Sequence, residues 1–222
     1  WNIGNEPDLY AVTRGDKTWT ADKYCDTFRA QRKAILAVQP DAKFAGPSTT
    51  AYPEFLERFV KRCGDVVDVL TWHEYPTDGR KTDVEALSTI ARVSSDIERY
   101  LSLWKDPIRN PMGYSRAIEF GLTEYGLSYR TESAKHISDQ VAGLWAAETT
   151  LRMAEAGAKL NAYFAFQGVG PHGTLDISGI PRPTYYAFQH LKHFKGDSLK
   201  LNSSNKDLWL HAAKNKNVLQ VI

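Results

Sequence analysis

The sequence predicts an α/β fold built on a parallel sheet, followed by the start of a separate all-β unit. Three observations lead there. Short apolar runs alternate with longer segments of helical periodicity from residue 1 to about residue 194, each run breaks into a loop carrying Pro, Gly, His or Glu, and beyond Gly196-Asp197 the pattern changes to short alternating strands. With 222 residues, 42% of them hydrophobic, there is apolar material for one substantial core.

Ile3 ends a first, very short strand. A helix is expected from Thr20 toward Gln39, with Tyr24, Phe28 and Ile35 on one face, Thr20 as its cap and Pro40 as its stop. Lys43 to Gly46 reads as a strand breaking into Pro47-Ser48-Thr49-Thr50. From about Pro53 a helix carries Phe55, Phe59 and Cys63 on one stripe and ends at Gly64. Val66 to Trp72 is rich in β-branched and bulky residues and enters His73-Glu74-Tyr75-Pro76, so it reads as a buried strand. Thr82-Asp83-Val84-Glu85 fits a capping box, after which Leu87, Ile90, Ile97, Leu101 and Trp104 keep helical spacing up to Pro107.

Ala117 to Thr123 is a strand delivering Glu124. A long helix is expected over residues 133–156, and Asn161 to Phe166 is the last strand of this series. After a Gly-rich loop and Pro181-Arg182-Pro183, a final helix is expected over 184–194. Segments 199–201, 208–212 and 218–221 read as short strands between Asn, Ser and Lys turns. There is no internal repeat and no low-complexity tract.

Charge excludes little but points away from two partner classes. Twenty-eight basic and 26 acidic residues leave a formal charge of +2, too weak a field to argue for nucleic acid or an anionic membrane surface, and no apolar run is long enough for a membrane span. Lys192, His193, Lys195 and Lys200 make a mild basic cluster that reads as a solvated helix end. Cys25 and Cys63 both fall inside helical patterns and are expected as two buried thiols, not as a disulfide framework. No Gly-x-Gly-x-x-Gly or phosphate-loop pattern supports an open-sheet nucleotide enzyme.

Two glutamates stand in unusual contexts, each where a strand gives way to a loop: Asn5-Glu6-Pro7-Asp8 and Thr123-Glu124-Tyr125-Gly126. Strand alternation puts His73 and Tyr75 on one face and turns Glu74 away. No second His or carboxylate stands at ligand spacing near His73, so no metal and no cofactor are expected. His190 and His193 are spaced i, i+3, which on a terminal helix reads as surface decoration. Trp1, Trp72, Tyr125, Tyr129 and Phe166 are possible stacking platforms for a sugar ring, of which one or two at most are expected to serve.

Asn-Glu-Pro, then His-x-Tyr, then Thr-Glu-Tyr-Gly, each at a strand end and in this order, resemble the clan of retaining glycoside hydrolases built on a (β/α)8 barrel. Within the clan the pattern looks most like the β-xylosidase/α-L-iduronidase and β-glucuronidase/heparanase families. The resemblance implies that residues 1–195 are the C-terminal part of such a barrel, strands four to eight, and that 196–222 begin a β-sandwich. It implies Glu6 as general acid/base and Glu124 as nucleophile, with Tyr75 donating to Glu124 and Asn5 contacting the sugar hydroxyl beside the anomeric carbon. His73, Tyr125, Phe166 and Gln167 are further residues expected to bind or orient substrate.

The partner implied is an oligosaccharide, polysaccharide or glycoside. A secreted or extracellular full-length enzyme is expected. The stretch Ala165-Phe166-Gln167-Gly168 departs from the clan, many of whose members place a Trp there. Five strands would leave a barrel open, so the chain is expected to be part of a longer enzyme, to require the missing N-terminal half of the barrel, and to be poorly folded and inactive alone. The alternatives are a glycan-binding protein without activity, or a non-functional piece of a glycosidase.

Overall fold

The computed structural model describes residues 1–50, 52–130, 136–168, 172–205 and 208–222. They form two compact units. The first comprises Trp1–Tyr75, Ser95–Tyr125 and Gly157–Ala162; the second comprises Pro76–Ser94, Gly126–Ala156 and Tyr163–Ile222.

In chain order the elements begin with a 3-10 turn (Pro7–Leu9), α1 (Tyr10–Thr13), α2 (Ala21–Leu36), β1 (Ala45–Thr49), α3 (Pro53–Cys63) and β2 (Val69–Glu74). They continue with α4 (Asp83–Ser88), α5 (Ile90–Lys105), β3 (Glu119–Tyr125), α6 (Gln140–Glu155), β4 (Leu160–Tyr163) and α7 (Pro183–Leu191). Three short strands follow: β5 (Asp197–Leu199), β6 (Ala212–Asn215) and β7 (Val218–Val221).

The first unit is organised by a sheet of order β1-β2-β3-β4, in which β1 pairs with β2 and β2 with β3 in parallel. The expected strand stub at Ile3 is a single parallel bridge, Asn2 to Ala45. Two register breaks matter below. Pro47 faces Thr71 and Thr49 faces Trp72, so Ser48 is an extra residue on β1; Trp72 faces Leu122 and His73 faces Glu124, so Thr123 is an extra residue on β3. Such bulges re-aim neighbouring side chains and are frequent beside sites of chemistry.

One face of this sheet is covered by α2 and α3. Thr20 caps α2 by accepting from Lys23 N, as its sequence position predicts. Tyr24 and Phe28 of α2 pack against Phe59 of α3 and Phe44, all essentially inaccessible. Burial raises the Tyr24 phenol well above its ordinary range, and its hydroxyl donates to Ile3 O. Trp72 stacks parallel to Phe120 and meets Tyr100 edge-on. Gly121 has no side chain because a Cβ there would lie 2.3 Å from Leu160 O, where β4 approaches β3.

The expectation of two free thiols is overturned. Cys25 and Cys63 form a disulfide joining α2 to α3. Both lie on buried helical faces, as the patterns predict, but spacing in sequence carries no information on which faces meet. Closing a loop of 38 residues stabilises by about 4 kcal/mol in the chain-entropy account.

In the second unit, the capping box at Thr82 and Glu85 is complete in both directions. The single helix expected beyond it is instead two, α4 and α5. At the break, Thr89 returns its hydroxyl to Ala86 O and accepts from Trp145 Nε1, a local alternative to continuing the helix. The helix expected over 133–156 begins at Gln140, because Asp139 accepts from Ala142 N and acts as the cap; residues 131–135 lie outside those described. The strand expected over 161–166 covers Leu160–Tyr163, and the final helix covers Pro183–Leu191. α6 and α7 pack closely enough that a Cβ at Gly143 would meet Pro183 at 3.2 Å. Burial pushes the Tyr163 phenol up to about 12.

The C-terminal strands form an antiparallel sheet, β5-β6-β7. Its pairing extends through reciprocal bonds between His211 and Ile222, so the strand expected over 208–212 begins where that expectation ends. Among the described residues, no helix is long and apolar enough to cross a membrane.

Candidate active site

Four side chains of the first unit converge at the carboxyl ends of its parallel strands. Glu6 follows the Asn2 bridge in a left-handed backbone conformation, φ 48° and ψ 50°, which is uncommon for a residue with a Cβ. Its loop is held on both sides: Glu6 N donates to Ser48 O at 3.0 Å, and the buried Asp8 carboxylate accepts from Thr50 N and Tyr52 N at 3.0 and 3.2 Å. Strain kept by such restraints is characteristic of functional positions.

His73, near the end of β2, has a fully buried ring. Its Nδ1 lies 3.0 Å from Glu6 Oε1 and 3.8 Å from Glu124 Oε2. The β3 bulge causes this contact, since it advances the register and sets Glu124 directly opposite His73. Tyr75, just past β2, donates its hydroxyl to Glu124 Oε2 at 2.8 Å. One carboxylate oxygen of Glu6, one of Glu124 and a His73 nitrogen all lie within 4.8 Å of one another. Both carboxylates keep a quarter or so of their side-chain surface in solvent, 29% for Glu6 and 22% for Glu124. Among the described residues neither is paired with a Lys or Arg.

The ring contact admits two proton arrangements. Either Nδ1–H donates to ionised Glu6, or a protonated Glu6 donates to a bare Nδ1. In both cases one proton lies between Glu6 Oε1 and His73 Nδ1. His73 Nε2 is buried and has no hydrogen-bond partner among the described residues.

The expectation that no ligand set forms around His73 is corrected. It rested on spacing along one strand, whereas the fold brings two carboxylates from elsewhere to the ring. Glu6, His73 and Glu124 could in principle hold a cation. Each, however, is engaged in the hydrogen bonds just described, and the Nδ1 facing Glu6 carries or receives a proton there, which a metal would displace.

The remaining residues singled out from sequence divide clearly. Asn5 is exposed beside Glu6. Tyr125 and Trp72 are core residues, 1% and 2% exposed. Glu74 turns away from the cluster as alternation requires, and accepts from Trp72 Nε1. Trp1 is exposed and donates to Gln39 Oε1. Phe166, Gln167 and Tyr129 belong to the second unit: Phe166 and Tyr129 are exposed, while Gln167 Nε2 donates to the carbonyls of Asp176 and Ile177. His190 and His193 are exposed. Sequence reasoning missed Ser48, Thr71 and Thr123, whose hydroxyls meet beneath this site. The break at Pro47-Ser48-Thr49-Thr50 and the Thr before Glu124 were visible, but nothing in the sequence joined them.

This chain is similar to known proteins over most or all of its length. It is 23% identical over 236 residues to a β-xylosidase of Caldicellulosiruptor saccharolyticus, covering all of this chain and 46% of that protein. It is 24% identical over 217 residues to a heparanase of Rattus norvegicus, covering 91% of this chain and 38% of the relative. Among solved structures, a GH39 β-xylosidase from Caulobacter crescentus superposes with a TM-score of 0.64 at 22% identity, covering 99% of this chain and 46% of that one. The chain thus spans less than half the length of these relatives. The family model described as "Glycosyl hydrolases family 39" matches residues 1–221, and the chain accordingly belongs to that family, as the clan resemblance implied.

Proposed function

We propose that this chain carries the reacting carboxylates of a retaining O-glycoside hydrolase, with Glu6 as general acid/base and Glu124 as nucleophile. The observation that carries the reading is the separation of the two groups. Retaining enzymes hold their carboxyls about 5 to 5.5 Å apart, and inverting ones about 6.5 to 9.5 Å apart to admit a water. Oxygens of Glu6 and Glu124 that lie within 4.8 Å of one another support the first arrangement.

The roles follow from the partners. Glu124 must stay ionised to attack the anomeric carbon, and the Tyr75 hydroxyl donates to it. Glu6 shares one proton with His73 and delivers a proton to the leaving oxygen; once the glycosyl ester has formed on Glu124, the same carboxylate takes a proton from water. Asn5, exposed next to Glu6, is assigned the sugar hydroxyl beside the anomeric carbon. Phe166 and Gln167 are retained as substrate-binding candidates.

The order β1-β2-β3-β4, parallel from β1 to β3, with its helices supports residues 1–195 as strands four to eight of a (β/α)8 barrel, and the antiparallel sheet β5-β6-β7 supports 196–222 as the start of an all-β domain. Curvature supports it as well. Oγ atoms of Ser48 on β1 and Thr123 on β3 are 2.9 Å apart although a whole strand lies between them, where a flat sheet would separate the backbones by about 9.6 Å. The Cys25–Cys63 disulfide fits an oxidising, extracellular compartment. The substrate class is a carbohydrate glycoside, and an aryl β-xyloside is the first to try, given the β-xylosidase relative.

The test is Glu6→Gln and Glu124→Gln, made separately in the full-length protein. Loss of turnover in both, with Glu6→Gln sparing substrates whose leaving group needs no proton, supports the assignment. A parent protein that binds glycans but hydrolyses none, and whose affinity neither substitution alters, would favour the binding-protein reading.

A further inference from the structure

We propose that Ser48 is a positioning residue for the hydrolytic site: one buried hydroxyl and its own carbonyl tie together the three backbones that carry Glu6, His73 and Glu124. This rests on the reading of Glu6 and Glu124 as the reacting pair.

Ser48 is inaccessible and is the extra residue of the β1 bulge, in a left-handed conformation with φ 53°. Its hydroxyl is saturated. Asn2 directs its Nδ2 to Gly4 O at 2.9 Å, which leaves Asn2 Oδ1 as an acceptor facing Ser48 Oγ at 3.0 Å. Ser48 therefore spends its single proton on Asn2. Its two lone pairs then accept from Thr123 Oγ1 and Thr71 Oγ1, each at 2.9 Å.

Each spoke leads to a member of the site. Thr123 directly precedes Glu124 and is itself the extra residue of the β3 bulge that sets Glu124 opposite His73. Thr71 lies two residues before His73 on the same face of β2. Asn2 holds the turn at Gly4, φ 80°, that leads into Glu6, and the Ser48 carbonyl accepts the Glu6 amide directly. The two bulges are thus clasped to one another, and neither can slip without moving a carboxylate. Misplacing a reacting group by about 1 Å can cost on the order of a hundredfold in rate.

Ser48→Gly separates hydroxyl from backbone, since glycine adopts φ 53° without strain while deleting every side-chain bond of the hub. Thr123→Val removes one spoke at constant shape, and Thr123→Ser restores it. In the full-length protein, Ser48→Gly and Thr123→Val are expected to lower kcat about 10- to 100-fold with KM within about threefold, and Thr123→Ser to stay within about threefold of the parent in both. Parental kcat in Thr123→Val, or an equal loss in Thr123→Ser and Thr123→Val, would overturn the proposal; should Ser48→Gly not fold, the Thr123 pair decides alone.

If the unaltered protein hydrolyses no glycoside, the functional reading fails and the hub is judged by crystal structures of the parent and Thr123→Val. The hub predicts that the 3.0 Å contact between His73 and Glu6 or the 2.8 Å contact between Tyr75 and Glu124 opens beyond hydrogen-bonding range. Both contacts unchanged would refute it.

Discussion

Each unit of this molecule holds a buried histidine between two glutamates, and the two arrangements are built for opposite ends. In the first unit His73 offers one nitrogen to Glu6 and Glu124 together, at 3.0 and 3.8 Å, and its other nitrogen is unused by the described residues. Both carboxylates remain partly open to solvent without a Lys or Arg partner among those residues. In the second unit His211 uses both ring nitrogens, bonding Glu148 and Glu155 at 2.7 Å each, and Arg152 adds a bond to Glu148. Composition is nearly the same. The two differ in what the described residues leave unused: in the first cluster a ring nitrogen has no partner and both carboxylates keep solvent exposure, whereas in the second both ring nitrogens are bonded.

The brace has its own pH logic. Hydrogen bonding to Glu148 above all, and also to Glu155, raises the His211 imidazole above its ordinary 6.5, against the effect of burial. Its contribution is therefore complete below 6.5 and is lost as pH rises through the elevated value. Burial alone would raise Glu148, but the bonds from His211 and Arg152 outweigh it and the carboxyl falls below 4.5. That contribution is present above 4.5 and is lost as pH falls through the lowered value.

The contrast is open to attack at several points. The largest effect is expected from Glu124→Gln, which should lower kcat at least about a thousandfold, whereas Glu148→Gln should lower the melting temperature and leave kcat of the folded protein intact; steady-state kinetics and calorimetry on both decide it. His211→Ala should cost about 3 kcal/mol near pH 6, because it leaves Glu148 short of a buried cation, and the deficit should shrink toward pH 9 as the parent loses the same proton; denaturant melts at the two pH values measure this. Tyr75→Phe should reduce kcat about 10- to 100-fold by removing a single donor to Glu124, read from kcat with an aryl glycoside. Smallest of all, a strong chelator should change turnover by less than about twofold, because Glu6, His73 and Glu124 are assigned to proton transfer and bond formation; a large loss, restored by added divalent metal, would turn the first cluster into a metal centre.

Much of the fold is legible in the sequence. Thr20 and Thr82 mark helix starts through a side-chain acceptor placed before an apolar stripe, and the structure uses both as caps. The fold departs from the sequence pattern where local rules compete. Thr89 can continue a helix or turn its hydroxyl back, and the Trp145 indole that fixes the choice lies 56 residues away. The helix expected over 133–156 begins after Asp139, whose carboxylate accepts from Ala142 N. The candidate pair Glu6 and Glu124 was readable because Asn-Glu-Pro and Thr-Glu-Tyr-Gly are compact signals. Ser48 was not, because its partners lie at positions 2, 71 and 123 and no spacing rule connects them.

The sequence by itself determined the alternation of strands and helices, the caps, and which carboxylates stand at strand ends. These are local matters, governed by periodicity and by the valence of neighbouring backbone groups. The tertiary structure alone decided that Cys25 meets Cys63, that His73 faces both glutamates, and that the hydroxyls of two bulged strands close on each other. Those contacts depend on sheet register and curvature, which a one-residue bulge changes without altering the pattern of apolar and polar residues along the chain.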